Sequence, residues 1–156
     1  MRLRPVTVAD HAQVLDLNER HVELLAPLDE ARLVQLQVWA RTAAVIDVDG
    51  SFAGFVLTFA AESAYDGENF AWFRDRFADR EGFGYLDRIV IADDFRRRGL
   101  ASLVYDELET PLFTLEVNLD PPNEASLAFH RARGYVEVGQ RTSGGHLVSL
   151  LARGLS

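Results

Sequence analysis

The 156-residue chain contains no cysteine and no lysine. Without thiols there is no disulfide framework, no thiolate metal site and no cysteine nucleophile. An intracellular, cytoplasmic protein is therefore expected. All 16 basic residues are arginine, and the 24 acidic residues outnumber them, for a formal net charge of -8. A generic nucleic-acid binder has the opposite balance, so no nucleic-acid partner is expected. No stretch approaches the ~20 apolar residues of a membrane span. The opening "MRLRPVTVAD" lacks the apolar core and cleavage site of a signal peptide, and no membrane partner is expected. A Gly-x-Ser-x-Gly elbow is missing, which leaves serine hydrolysis without support. His11, His21 and His146 lie in separate segments without metal-ligand spacing, and no metal is expected.

What is present is ordinary for a globular domain: 48% apolar and 26% charged residues, enough for one core over residues 1–156. "RLRPV" reads as a short strand. In "TVADHAQVLDLNERHVELL", Val8, Ala12, Leu15 and Val22 keep roughly helical spacing, Thr7 with Asp10 resembles a capping box, and Pro27 ends the segment. "DEARLVQLQVWA" starts a second helix capped by Asp29. "TAAVIDV", the turn Asp49-Gly50 and "SFAGFVLTFA" form a hairpin pattern. Residues 62–81 are irregular and aromatic-rich. "FGYLDRIVIA" is a strand, and residues 99–109 are helical with Leu100, Leu103, Val104 and Leu108 on one face. "LFTLEVNL" is a strand. "NEASLAFHRAR" is a helix capped by Asn123 and broken by Gly134, and two closing strands surround "SGG". The expected order is β-α-α-β-β-β-α-β-α-β-β, a mixed α/β (α+β) domain.

Between a strand and a helix sits "RRRGLA", residues 96–101. A basic, glycine-bearing strand-to-helix turn is a means of holding phosphate, because the amides of the first helical turn are unsatisfied and point at the anion. Gly99 permits close backbone approach, the small Ala101 avoids a clash, and Arg98 and its neighbours add charge-assisted bonds. It is neither a Walker motif nor the three-glycine dinucleotide fingerprint. The longer segment "IVIADDFRRRGLASLVYDEL" resembles the acyl-CoA-binding motif of the GNAT N-acetyltransferase superfamily. Arg96, Gly99 and Ala101 occupy that motif's Arg/Gln-x-x-Gly-x-Gly/Ala positions. "NEASLAFHRARGY" resembles the family's second motif, an Asn-led helix ending in Gly-aromatic. "LRPVTVADHAQVLDLN" resembles its first strand and helix, so the similarity covers nearly the whole chain.

The resemblance implies a single GNAT-like domain with a splayed central sheet and acetyl-CoA as cosubstrate. Backbone groups of Ile89, Val90 and Ile91 would pair with the pantetheine arm. The amides of Arg97, Arg98, Gly99, Leu100, Ala101 and Ser102 would hold the pyrophosphate. Asn123, and Phe129 on the same helix, would contact the cofactor further along, and the amide near Ile91 would polarise the thioester carbonyl. The strands "YLDRIVIA" and "LFTLEVNL" would part to admit the thioester.

The implied activity is acetyl transfer to a primary amine, a small molecule or a peptide N-terminus, by direct attack in a ternary complex. A lysine-type amine, of pKa ~10.4, is neutral in only about one molecule per few thousand at pH 7, so a base is needed. Glu116 matches a position where some family members, ribosomal-protein acetyltransferases among them, carry a glutamate. Asp87 is the second candidate, sharing a strand face with Tyr85 and Ile89. The family's usual acid is a tyrosine four residues before the helix-ending glycine. Here that position is His130, which can hydrogen-bond the sulfur or, when protonated, donate. In the acidic, aromatic segment after the hairpin, Tyr65 and Asp66 are candidates for the acceptor, with Tyr85 nearby on its strand, while Phe70, Phe73 and Phe77 keep helical spacing and suit a core. An acyl-CoA-binding module with little turnover is the alternative, and a homodimer is possible.

Overall fold

The structure, a computed structural model, describes residues 1–155. Strands and helices run in the order β1 (Arg2–Pro5), α1 (His11–Arg20), α2 (Glu30–Trp39), β2 (Thr42–Val48), β3 (Ser51–Ala60), α3 (Glu68–Arg76), β4 (Phe83–Ile91), α4 (Leu100–Leu108), β5 (Leu112–Asn118), α5 (Glu124–Ala132), β6 (Val136–Ser143) and β7 (His146–Arg153). This is the expected mixed α/β pattern with one helix more, because the aromatic segment after β3 folds into α3. Phe70, Phe73 and Phe77 are buried there, as their spacing predicts.

The chain divides into two compact units, Met1–Tyr65 with Leu86–Glu109, and Asp66–Tyr85 with Thr110–Ser156. In the first, β1 pairs antiparallel with β2 and β2 with β3, and β3 is hydrogen-bonded to β4. The hairpin turn takes left-handed φ at both central positions, 52° at Asp49 and 86° at Gly50, the geometry that an Asp-Gly pair favours. Leu33, Leu36, Ile46, Phe55 and Leu57 form part of this unit's fully buried core. In the second unit, the start of β4 pairs parallel with β5, β5 antiparallel with β7, and β7 antiparallel with β6. Phe70, Phe73, Leu112, Phe113 and Leu150 are fully buried there.

The first helical segment differs from its sequence reading. Residues Val8–Asp10 form a 3-10 turn, and α1 starts only at His11 and ends at Arg20, well before Pro27. The tighter turn shifts the helical phase, so His11, Val14, Leu17 and Asn18 are buried while Val8 is 78% exposed. Helix α4 also turns slightly from the expected face: Leu100, Val104 and Tyr105 are buried, and Leu103 is exposed. The caps are as read. Asp29 accepts from the Arg32 amide at 2.7 Å, and Asn123 from the Ser126 amide at 3.2 Å.

Asp10 ties β1 to α1. Its carboxylate accepts two bonds of 2.8 Å from the Arg4 guanidinium, and further bonds from the Thr7 amide and hydroxyl. The Arg4 bonds hold this carboxyl well below the usual carboxylate range, against burial, which pushes the other way; Thr7 adds to the lowering. A carboxyl depressed in the native state stabilises the fold above its unfolded value near ~3.9 and ceases to do so as pH falls toward the native value. Asp10→Ala is expected to lose about 1–2 kcal/mol at pH 7. In denaturant titrations its deficit should shrink steadily between pH 4 and pH 2, as wild type loses the same contribution.

Candidate active site

Strand β4 leads into the arginine turn. The Ala92 amide makes a last bond to the Ala53 carbonyl (2.8 Å), and a 3-10 turn over Asp93–Phe95 follows. Two residues then take left-handed backbone, Arg97 at φ 62° and Gly99 at φ 72°. A non-glycine residue in that region is uncommon and tends to mark a turn held for a purpose. Helix α4 starts at Leu100, whose buried side chain anchors it. Among the described residues, none of the six backbone amides of residues 97–102 donates a hydrogen bond to a carbonyl or a side chain. A Cβ built on Gly99 would meet nothing within 4 Å, so the space beside the turn is open.

The arginine side chains behave differently from their amides. Arg96 lies 3.3 Å from Asp93 and donates to the His21 ring at 3.2 Å, and Arg98 stacks over Phe95 while donating to the Asp94 carbonyl. Arg98 thus folds back on its own turn while Arg96 reaches to His21, leaving an open row of amides with charge at its rim. Such a row suits a diphosphate, whose oxygens accept several N–H bonds where the helix dipole favours negative charge. In the preceding strand Val90 is buried and Ile89 and Ile91 are half-buried. A Cβ on Gly54 would lie 2.1 Å from the Val90 carbonyl oxygen, so β3 and β4 approach as closely as they do only because residue 54 is glycine.

Asp87, in the same unit, sits in a buried network. It accepts from the Tyr65 hydroxyl at 2.6 Å and from Arg88 Nε at 2.7 Å. Arg88 Nη1 also donates to the Asn18 side chain and the Ala26 carbonyl. The Asp87 and Arg88 side chains are 7% and 6% exposed. Tyr65 is itself buried, stacked on Phe59 at 4.0 Å with its ring tilted toward Trp39. Asn18, a partner of Arg88, was not singled out from the sequence. The one available sign was an Asp-Arg pair inside an apolar strand, which only a buried ion pair explains well.

Glu116 and Tyr85 belong to the second unit. The parallel ladder of β4 with β5 comprises Phe83↔Leu112, Gly84↔Phe113 and Tyr85↔Thr114, while β4 continues to Ile91 and β5 to Asn118. Glu116 follows Thr114 on the same strand face and is half-buried. The Tyr85 hydroxyl lies 2.8 and 2.7 Å from its two carboxylate oxygens.

Asn123 uses its side-chain oxygen as the cap of α5. On that helix His130 is buried, with Nδ1 2.7 Å from the Ser126 carbonyl. A carbonyl only accepts, so Nδ1 carries the proton in this bond. The rings of Phe129 and Tyr135 meet it edge-on at 5.1 Å. Asp66 is exposed, and Glu68 pairs with Arg141 at 3.3 Å. Among the described residues no group of three or more His, Cys, Asp or Glu could hold a metal.

Removing Asp87 would strand the buried Arg88 charge. Asp87→Ala is expected to lower unfolding free energy by about 3 kcal/mol, measured by denaturant titration at pH 7. A loss within experimental error would contradict the buried-pair reading.

Residues 12–135 match the sequence model of the acetyltransferase (GNAT) family. Among solved structures, the chain is similar to a ribosomal-protein-alanine N-acetyltransferase from Brucella melitensis, at 20% identity over 98% of this chain and 99% of that one, with a TM-score of 0.66. It is also similar to Arabidopsis thaliana NAA60 in complex with acetyl-CoA, at 16% identity over 97% and 96%, TM-score 0.67. A third likeness is to an aminoglycoside acetyltransferase in complex with coenzyme A, at 18% identity over 97% and 92%, TM-score 0.64. These likenesses establish the fold. Among curated proteins none matches closely enough to count as a relative.

Proposed function

The chain belongs to the GNAT acetyltransferase family, and we propose that it moves the acetyl group of acetyl-CoA to a primary amine by direct attack in a ternary complex. Residues 1–156 act as one cytoplasmic catalytic domain. The observation that carries the donor assignment is the row of six unpaired amides at described residues 97–102, which includes left-handed Arg97 and Gly99. The small Ala101 keeps the first turn of α4 accessible to the diphosphate, and backbone groups of Ile89, Val90 and Ile91 bind the pantetheine arm. Asn123 and Phe129 on α5 contact the same arm. Solved structures of two similar proteins, which hold acetyl-CoA and coenzyme A, support this choice of donor.

The thioester supplies an activated acyl group with a good leaving thiolate. Its transfer forms a nitrogen–carbon bond, breaks the carbon–sulfur bond and releases one amine proton. Glu116 takes that proton, directly or through water, because it is a half-buried carboxylate already oriented by a hydroxyl. Asp87 is the weaker candidate: its oxygens already accept from Arg88 and Tyr65, and taking a proton would leave the buried Arg88 cation unbalanced. His130, its Nδ1–H bonded to the Ser126 carbonyl, can act as an acid toward the leaving sulfur only as imidazolium. Tyr65 lies in the core and reaches an acceptor only through its hydroxyl, whereas Asp66 is exposed and suits a cationic amine.

Acetyl-CoA is expected to raise the melting temperature of the wild-type protein, and Ala101→Val should abolish the rise while leaving the free protein's melting temperature within a few degrees. A panel of small primary amines and short peptides with free N-termini, read by release of CoA thiol, identifies the acceptor class. On the best acceptor Glu116→Gln should lower kcat/KM by about 10²–10⁴-fold and keep the thermal shift. A protein that shows the shift but releases no thiol with any amine would instead be an acyl-CoA-binding module.

A further inference from the structure

We infer that Tyr85 is a positioning residue for Glu116, holding both carboxylate oxygens so that α3, through Tyr85, sets the direction and basicity of the proton acceptor. The inference rests on the reading of Glu116 as the base.

The geometry is built from the strand pairing upward. Tyr85 pairs with Thr114, and Thr114 and Glu116 lie two residues apart on β5, so Tyr85 and Glu116 occupy one face at neighbouring rungs. The Thr114 hydroxyl donates to the Gly84 carbonyl at 2.9 Å, which locks the two strands in this register. The Tyr85 ring is 1% exposed. Phe70 and Phe73 of α3 flank it, with centroids at 5.6 and 5.9 Å, and both are fully buried. Phe70 also packs on Phe83, two residues before Tyr85 on β4. The phenol therefore has one direction in which to aim, and that direction ends on the carboxylate of Glu116.

Two consequences follow from elementary chemistry. A phenol proton shared by both oxygens pins the carboxylate's terminal rotation, so its remaining lone pairs point the same way at each turnover. The same bond stabilises the charged form and so makes the carboxylate a weaker base than it would otherwise be. Opposite Glu116, β7 presents Leu150 between Ser149 and Leu151, none of them ionisable. The aromatic helix after β3 thus serves the chemistry from behind, as a clamp on Tyr85.

The test is a titration of the Glu116 side-chain carboxyl by carbon-13 NMR in glutamate-labelled protein, its resonance assigned by loss in Glu116→Gln. In Tyr85→Phe, which keeps the ring and removes only the hydroxyl, the midpoint should rise by about one pH unit. Phe73→Leu, which keeps the hydroxyl and loosens the clamp, should move it in the same direction by less. Melting temperatures confirm that each variant is folded, and Phe73→Leu carries the test should Tyr85→Phe not fold. An unmoved midpoint in folded variants overturns the inference. If the midpoint is unmoved and Glu116→Gln still abolishes thiol release, the base reading survives without it. If Glu116→Gln keeps full turnover, the base reading itself fails, whatever the midpoint does.

Discussion

A buried strand must satisfy its backbone donors and acceptors on both sides, and β4 does this with different partners along its length. Its first three residues form a parallel ladder with β5, and it is also hydrogen-bonded to β3, where Gly54 admits the Val90 carbonyl at a distance no side chain would allow. Its end delivers the chain into the arginine turn. Its middle carries the Asp87–Arg88 pair, and its beginning fixes Tyr85 against Thr114. A slip of one residue in this register would turn each of these side chains to the opposite face.

The two carboxylates near β4 show how environment assigns roles to identical groups. Asp87 is deeply buried beside a guanidinium and a phenol, and its charge is needed to balance Arg88. Glu116 is half-buried and held by a phenol. Desolvation and pairing suit the first to stability and the second to proton transfer. The arginine turn follows a similar division. Arg98 bonds to its own loop and Arg96 to Asp93 and His21, whereas the amides remain open along backbone shaped by two left-handed residues.

Much of the architecture was legible from residue patterns. Alternating apolar runs gave the strands, Asp49-Gly50 the hairpin, and Asp29, Asn123 and Gly134 the helix ends, because each of these signals acts within a few residues of itself. The first helix was misjudged because a 3-10 turn at Val8–Asp10 shifted its phase, and that turn depends on Asp10 meeting Arg4, a partner on β1. Helical spacing marked Phe70 and Phe73 as core residues, but not that they pack on Tyr85, which lies on another element.

The sequence by itself determined the order of elements apart from α3, the family and the pattern of the arginine turn, since these rest on local spacing: an apolar strand, a glycine that tolerates positive φ and a helix start within a dozen residues. Only the tertiary structure decided which polar side chains are partners. Tyr65 with Asp87, Arg88 with Asn18, and Tyr85 with Glu116 are separated by 22, 70 and 31 positions in the chain. No local pattern encodes such pairs, because each forms where strand register and burial bring distant residues together and exclude the water that would otherwise satisfy them.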